Sequence, residues 1–254
     1  MAPIALFAVW VGGALFDGLV AAAAAIMAWE WGQLTRVAGG ASRSPYQAIV
    51  GFVVVLLAGL AGYGTALVVF IIGLVALDRL DPAEPRQREL WSTGGLIWIT
   101  LPCIGLVWLR HDPVVGAQMV FWILATAWAT DIAAYAVGRT VGGPRLAPRI
   151  SPAKTWSGLA GGVAASAVVG SAASLVVGGR HALAFAAIGA GLAVVEQLGD
   201  LAESYAKRRF GAKDSGSLIP GHGGLLDRLD GMLAVVIAVI LLDRGLGESL
   251  LLWR

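Results

Sequence analysis

Charge is what this 254-residue chain has least of: Asp, Glu, Lys and Arg make up 13% of it, where a soluble domain carries roughly 25%. An ordinary water-facing surface cannot be built from so few charges, so a conventional soluble enzyme is excluded. The same shortage excludes a disordered chain and, with a formal net charge of +2, a basic nucleic-acid-binding protein. One cysteine, Cys103, excludes a disulfide framework and a cysteine-cluster metal site. Sustained apolar–polar alternation is missing, which argues against a membrane β-barrel.

What is present is apolar: 58% of the residues are hydrophobic and 35 are glycine. The glycines lack a collagen period and suit close helix–helix approach in lipid. Spanning the hydrocarbon takes about 20 apolar residues. Candidate spans run over 3–14, 15–34, 46–61, 63–78, 91–109, 114–137, 156–178, 181–205 and 225–246. The first is short and the third and fourth are marginal, so the expected fold is an all-α polytopic membrane protein of eight or nine transmembrane helices. Met1 is followed by apolar residues with no basic region, so a cleaved signal peptide is not expected. No linker or repeat divides the chain, and a single domain over 1–254 is expected.

The basic residues sort unevenly between the loops. Arg36, Arg43, Arg79, Arg86, Arg88, Arg139, Arg145, Arg149, Lys154, Lys207, Arg208, Arg209, Lys213 and Arg228 fall on one side; Arg110, Arg180, Arg244 and Arg254 fall on the other. The positive-inside rule makes the richer side cytoplasmic. Trp10, Trp29, Trp31, Trp91, Trp108, Trp156 and Trp253 lie near span ends and read as an interfacial belt. Gly158 and Gly162 form a GxxxG pair, which reads as helix packing.

Ionisable groups at membrane depth are expensive, which makes each a functional candidate. Glu30, between Trp29 and Trp31, reads as an interfacial or interhelical contact. Asp131 lies deep in the sixth span, ahead of a break at Gly138. Glu196, Asp200, Ser204 and Lys207 share one helical face by their spacing, and Glu203 stands four residues before Lys207. Beyond them a glycine-rich segment carries Lys213, Asp214 and His222. It leads through Gly223 and Gly224 into a helix bearing Asp227, Arg228 and Asp230.

Carboxylates without cysteine and with little histidine suit Mg²⁺ rather than zinc. Lysine and arginine beside them suit a polyphosphate. Glycine-rich backbone at a helix start can offer bare N–H groups to phosphate oxygens. Together these describe displacement at phosphorus, where positioning and charge neutralisation do most of the catalysis. In the other large basic loop, Ser151-Pro152 reads as the start of a helix. Lys154 and Thr155 would then sit in its first turn, beside free N–H groups.

These residues carry a family resemblance. Ser204-Tyr205-Ala206-Lys207-Arg208, Lys213-Asp214-Ser215-Gly216 and Ile219-Pro220-Gly221-His222-Gly223-Gly224-Leu225-Leu226-Asp227-Arg228-Leu229-Asp230 resemble, with matching spacing, the signature of phosphatidate cytidylyltransferases. Ser151-Pro152-Ala153-Lys154-Thr155-Trp156 resembles a second family marker, with Ala153 where a second lysine is usual. Asp131 and Tyr135 fit the preceding helix, with Thr130 where asparagine is common. Ala206 replaces a larger apolar residue. Glu30 fits the family's N-terminal region.

The resemblance implies that CTP and phosphatidate give CDP-diacylglycerol and pyrophosphate, with Mg²⁺ required and room for a second cation such as K⁺. It implies metal ligation by Asp200 and Asp227, with Asp230 and Asp214 as second candidates. It implies catalytic or phosphate-neutralising roles for Lys207, Lys213, Arg208, Arg228 and Lys154. Ser151, Thr155, Ser204, His222, Gly223, Gly224 and Asp131 would line the substrate site. A homodimer is implied, in the inner membrane with the site facing the cytoplasm. A CDP-alcohol phosphotransferase is rejected because Asp230-Gly231 is followed by Met232-Leu233-Ala234-Val235, without its arginine. The alternative of another class is an ion-coupled transporter with intramembrane carboxylates.

Overall fold

The computed structural model describes residues 2–36, 42–79, 86–178, 181–216 and 223–246. His222 therefore lies outside the described residues, as do Arg180, Trp253 and Arg254. Each candidate span coincides with a helix: α1 (Ala2–Val11), α2 (Gly13–Leu34), α3 (Ser44–Leu60), α4 (Tyr63–Arg79), α5 (Arg86–Arg110), α6 (Gly116–Thr140), α7 (Trp156–Val176), α8 (Ala182–Arg209) and α9 (Leu226–Leu246). Among the described residues, α2, α5, α6, α7 and α8 are long and apolar enough to cross a membrane. Ile71, Leu183 and Leu241 are exposed, as suits helices whose outer surface meets lipid. The protein is a membrane protein.

Two compact units make up the chain. The first comprises Met1–His111 and Lys207–Leu229. Its centre is α2 packed on α3 and α5, with α4 beside α3. Helix α1 ends where Gly12 turns the chain at φ 71°, and Arg110 Nε donates to the freed Val9 carbonyl at 2.7 Å. Ten residues rise about 15 Å, half the hydrocarbon thickness, which is why α1 alone cannot span. Trp31 departs from the interfacial expectation: it is buried, and its indole N–H donates to the Trp91 carbonyl at 2.9 Å. Trp10, Trp29 and Trp156 are exposed, as a belt requires.

The second unit comprises Asp112–Ala206 and Asp230–Arg254. Asp112 fixes the turn just ahead of α6, its Oδ1 accepting from the Val114 and Val115 amides at 2.8 and 2.9 Å. Helices α6 and α7 pack closely, and the GxxxG pair allows it. A Cβ on Gly158 would stand 2.8 Å from the Ala134 carbonyl, and one on Gly162 would stand 2.9 Å from Thr130 Cγ2. Gly138 is not a break: α6 continues to Thr140, and a Cβ at Gly138 would meet Thr155 Oγ1 at 2.8 Å. Helices α8 and α9 approach at Gly199 and Gly231, where added Cβ atoms would meet Ala234 Cβ and Glu196 Cγ at 2.7 Å.

The all-α expectation needs one correction. Arg145–Ala147 and Ser151–Thr155 form strands β1 and β2 of an antiparallel hairpin. Ser151-Pro152 does not start a helix. Helix α7 begins at Trp156, capped by Thr155 in an extended conformation, whose Oγ1 accepts from the Gly158 amide at 3.0 Å. Proline fits a two-stranded edge because it need not donate there, and threonine is a preferred N-cap.

Candidate active site

Two polar groups stand out, one in each unit. In the first unit the last turn of α8 and the first turn of α9 supply an ion pair. Lys207 is buried, and its Nζ lies 2.6 Å from Asp227 Oδ1. Asp227 also accepts from the Ser215 amide at 2.9 Å and from the Gly224 amide at 2.8 Å. The Gly224 N–H, expected to be bare for a phosphate, is thus engaged by a carboxylate reaching back from its own helix, as in a capping box. Gly223 has φ 79°, and a Cβ there would stand 2.8 Å from Asp227 Oδ2.

Around this pair the other expected residues take different positions. Lys213 and Asp214 are exposed on the turn after α8. Arg208 is exposed and donates to the Ala212 carbonyl at 3.2 Å. Arg228 is exposed on the first turn of α9. Glu30 is buried, and its two oxygens accept from the Leu225 and Leu226 amides at 2.9 and 2.8 Å. The interhelical reading of Glu30 holds, but its partner is backbone rather than a side-chain cation.

The second unit holds a cavity of 820 Å³. Asp131, Tyr135 and Arg139 of α6, Arg145 and Lys154 of the hairpin, and Gln197 and Asp200 of α8 line it. Lys154 Nζ lies 2.5 Å from Asp200 Oδ2, and Ser204 Oγ donates to Asp200 Oδ1 at 3.2 Å. Arg139 donates to the Tyr135 hydroxyl at 2.5 Å. Ser151 is half-buried at the start of β2, and Thr155 is buried with its hydroxyl committed to the α7 cap. Asp230 is buried, accepts from the Gly231 amide at 2.7 Å, and faces Glu203. Sequence reasoning gave Arg139 and Arg145 only a role in orientation, and it missed Gln197. Only folding the hairpin over α6 and α8 puts them on one wall.

The donor set can be tested for a divalent cation. Among the described residues no three carboxylate, histidine or cysteine side chains converge into a metal cage. Mg²⁺ does not need one, because it is ordinarily held by one or two carboxylates together with substrate phosphates and water. Asp200 and Asp131 on a cavity wall beside Lys154, Arg139 and Arg145 fit that mode: hard oxygens for the ion and cations for the phosphate.

Comparison with known proteins gives the family of the chain. A family model described as the cytidylyltransferase family matches residues 1–244. The chain is similar to the phosphatidate cytidylyltransferase of Brucella suis biovar 1, 36% identical over 242 residues, covering 94% of this chain and 87% of that protein. It is similar to that of Pseudomonas aeruginosa, 36% identical over 246 residues, covering 92% of this chain and 90% of that one. A shorter likeness joins it to the Rickettsia bellii protein of the same name, 39% identical over 146 residues, covering 55% of this chain and 63% of the other.

Proposed function

The chain belongs to the cytidylyltransferase family, and from that premise we propose that it transfers the CMP moiety of CTP to phosphatidate, giving CDP-diacylglycerol and pyrophosphate. A phosphatidate oxygen attacks the α-phosphorus of CTP. The new O–P bond forms as the bond from that phosphorus to the β-phosphate bridging oxygen breaks, and pyrophosphate leaves with the electron pair. No strong base is needed, since the lipid phosphate is already an anion.

The observation that carries the reading is Asp227 in the family signature, joined to Lys207 at 2.6 Å and to two backbone amides of the glycine-rich segment. Lys207, Arg208, Lys213, Arg228 and Lys154 neutralise the charge that builds on the CTP phosphates and the lipid head group. Ser151, Thr155, Ser204, Gly223, Gly224 and Asp131 line the substrate site. Asp214 serves catalysis from the exposed turn, and His222 contacts phosphate. By the family resemblance Asp200, Asp227 and Asp230 are the residues that would hold Mg²⁺, and of these Asp200 shares with Asp131 the cavity wall that suits such an ion. The bound ion would supply charge neutralisation to the departing pyrophosphate, and the resemblance allows a second cation such as K⁺.

The whole chain works as one catalytic domain with eight or nine spans, as a homodimer in the inner membrane. The active site faces the cytoplasm, where CTP is, and the uneven distribution of basic residues supports that orientation. The test is direct: detergent-purified protein given phosphatidate, Mg²⁺ and labelled CTP forms a CDP-lipid and releases pyrophosphate. Product with a different nucleotide, and none with CTP, would overturn the reading.

A further inference from the structure

Glu30 is 3% exposed, and among the described residues no lysine or arginine pairs with it. Its compensation is of another kind. Oε1 accepts from the Leu225 amide at 2.9 Å, and Oε2 accepts from the Leu226 amide at 2.8 Å and from the Ser215 hydroxyl at 3.4 Å. Those amides are at the start of α9, where backbone N–H groups have no intrahelical partner and the positive end of the helix dipole favours a carboxylate. A local cap would need a short polar side chain just ahead of the helix. The chain has Leu225 there, so the cap comes from α2.

The carboxylate thereby holds both arms of the glycine-rich segment. One arm is Ser215–Gly216 and the other runs from Gly223 to Leu226. Two glycines make room for it: a Cβ on Gly216 would stand 2.7 Å from Glu30 Oε1, and one on Gly224 would stand 2.7 Å from Oε2. Asp227 bonds to the same two arms, through the Ser215 and Gly224 amides, and its remaining partner is Lys207. The arms cannot shift without moving the Asp227 carboxylate. Glu30, Ser215 and Gly216 also wall a cavity of 700 Å³, so the placement of the first arm sets the shape of that space.

We propose that Glu30 is a positioning residue for cytidylyl transfer, fixing the two arms at the spacing at which Asp227 and Lys207 meet. The proposal rests on the function proposed above, and its test separates the two. Glu30→Gln preserves shape but turns one acceptor into a donor facing a backbone N–H, so it both loses a bond and opposes two donors. Gly216→Ala presses on the same carboxylate from the first arm, and it reports if the glutamine variant does not fold.

In detergent-purified variants, hydrogen exchange at Leu225 and Leu226 should speed up by about tenfold or more, while Val235–Ile240 in the body of α9 keeps its protection. In the same preparations kcat should fall by about tenfold or more with the KM for phosphatidate unchanged. Glu30→Asp, which keeps the charge but reaches less far, should recover part of both. Exchange at Leu225 and Leu226 indistinguishable from wild type overturns the proposal, and so does faster exchange with unchanged kcat. If the wild-type protein forms no CDP-lipid, the reaction is wrong, and the exchange measurement still reads whether Glu30 fixes the arms.

Discussion

Lys154 and Asp200 meet at 2.5 Å, a cation from a short hairpin strand against a carboxylate on a membrane helix. Ser204 occupies the other oxygen of Asp200, one turn further along α8. The pair lines the cavity of the second unit together with Asp131, Arg139 and Arg145. Opposite charges in this partly buried setting stabilise each other, because either alone would lose part of its hydration without compensation.

Separating that pair should cost stability in a diagnostic way. Lys154→Met or Asp200→Asn alone leaves a partly buried charge without its partner and should destabilise the protein by about 1–3 kcal/mol, reduced from the fully buried case by residual solvent access. The double variant should recover part of that loss, although activity should be lost in all three. Thermal unfolding in detergent reads the first effect, and a strictly additive double variant would show that the pair is not coupled.

Asp227→Asn is expected to lower turnover by about 10²–10³-fold or more without unfolding the protein. The amide keeps one acceptor for a backbone N–H but turns its NH₂ towards either Lys207 or the glycine segment. Circular dichroism and kcat on the same preparation check this. Wild-type turnover would remove Asp227 from the site.

Thr155→Ala should cost about 1 kcal/mol by removing the α7 cap, and Thr155→Ser should cost much less because it keeps the oxygen. The measurement is the shift in midpoint temperature. Equal shifts for alanine and serine would mean that the Gly158 amide finds another partner.

Gly162→Val should weaken packing of α7 on α6 by about 1–3 kcal/mol, since Thr130 Cγ2 already lies 2.9 Å from where a Cβ would be. Gly178→Ala tests a different constraint: no neighbour crowds it, but its φ of 74° disfavours a side chain, so it should be milder. Unfolding midpoints of the two variants decide between crowding and backbone strain.

Much of this architecture is legible in the sequence because lipid imposes one rule, a run of apolar residues long enough to span. The reading 114–137 became Gly116–Thr140, and 156–178 became Trp156–Val176. The GxxxG pair was legible for the same reason, since close packing requires small residues at helical spacing. The hairpin was not. Its strands have three and five residues, too few for alternation to show, and Pro152 carries an equally good helix-start signal. The partners of the site charges were not legible either. Glu30 caps a helix 195 residues away, and Lys154 on its hairpin strand finds Asp200 on α8. Local spacing can put residues on one face of a helix, but it cannot say which distant segment that face will meet.

The most direct test of the account is CTP-dependent liponucleotide synthesis by the purified protein. With phosphatidate, Mg²⁺ and CTP labelled at the α-phosphorus, label should pass into a lipid product in step with pyrophosphate release, and Asp227→Asn should abolish both. Label remaining entirely in water-soluble nucleotide, in a preparation that is folded and supplied with phosphatidate, would contradict it.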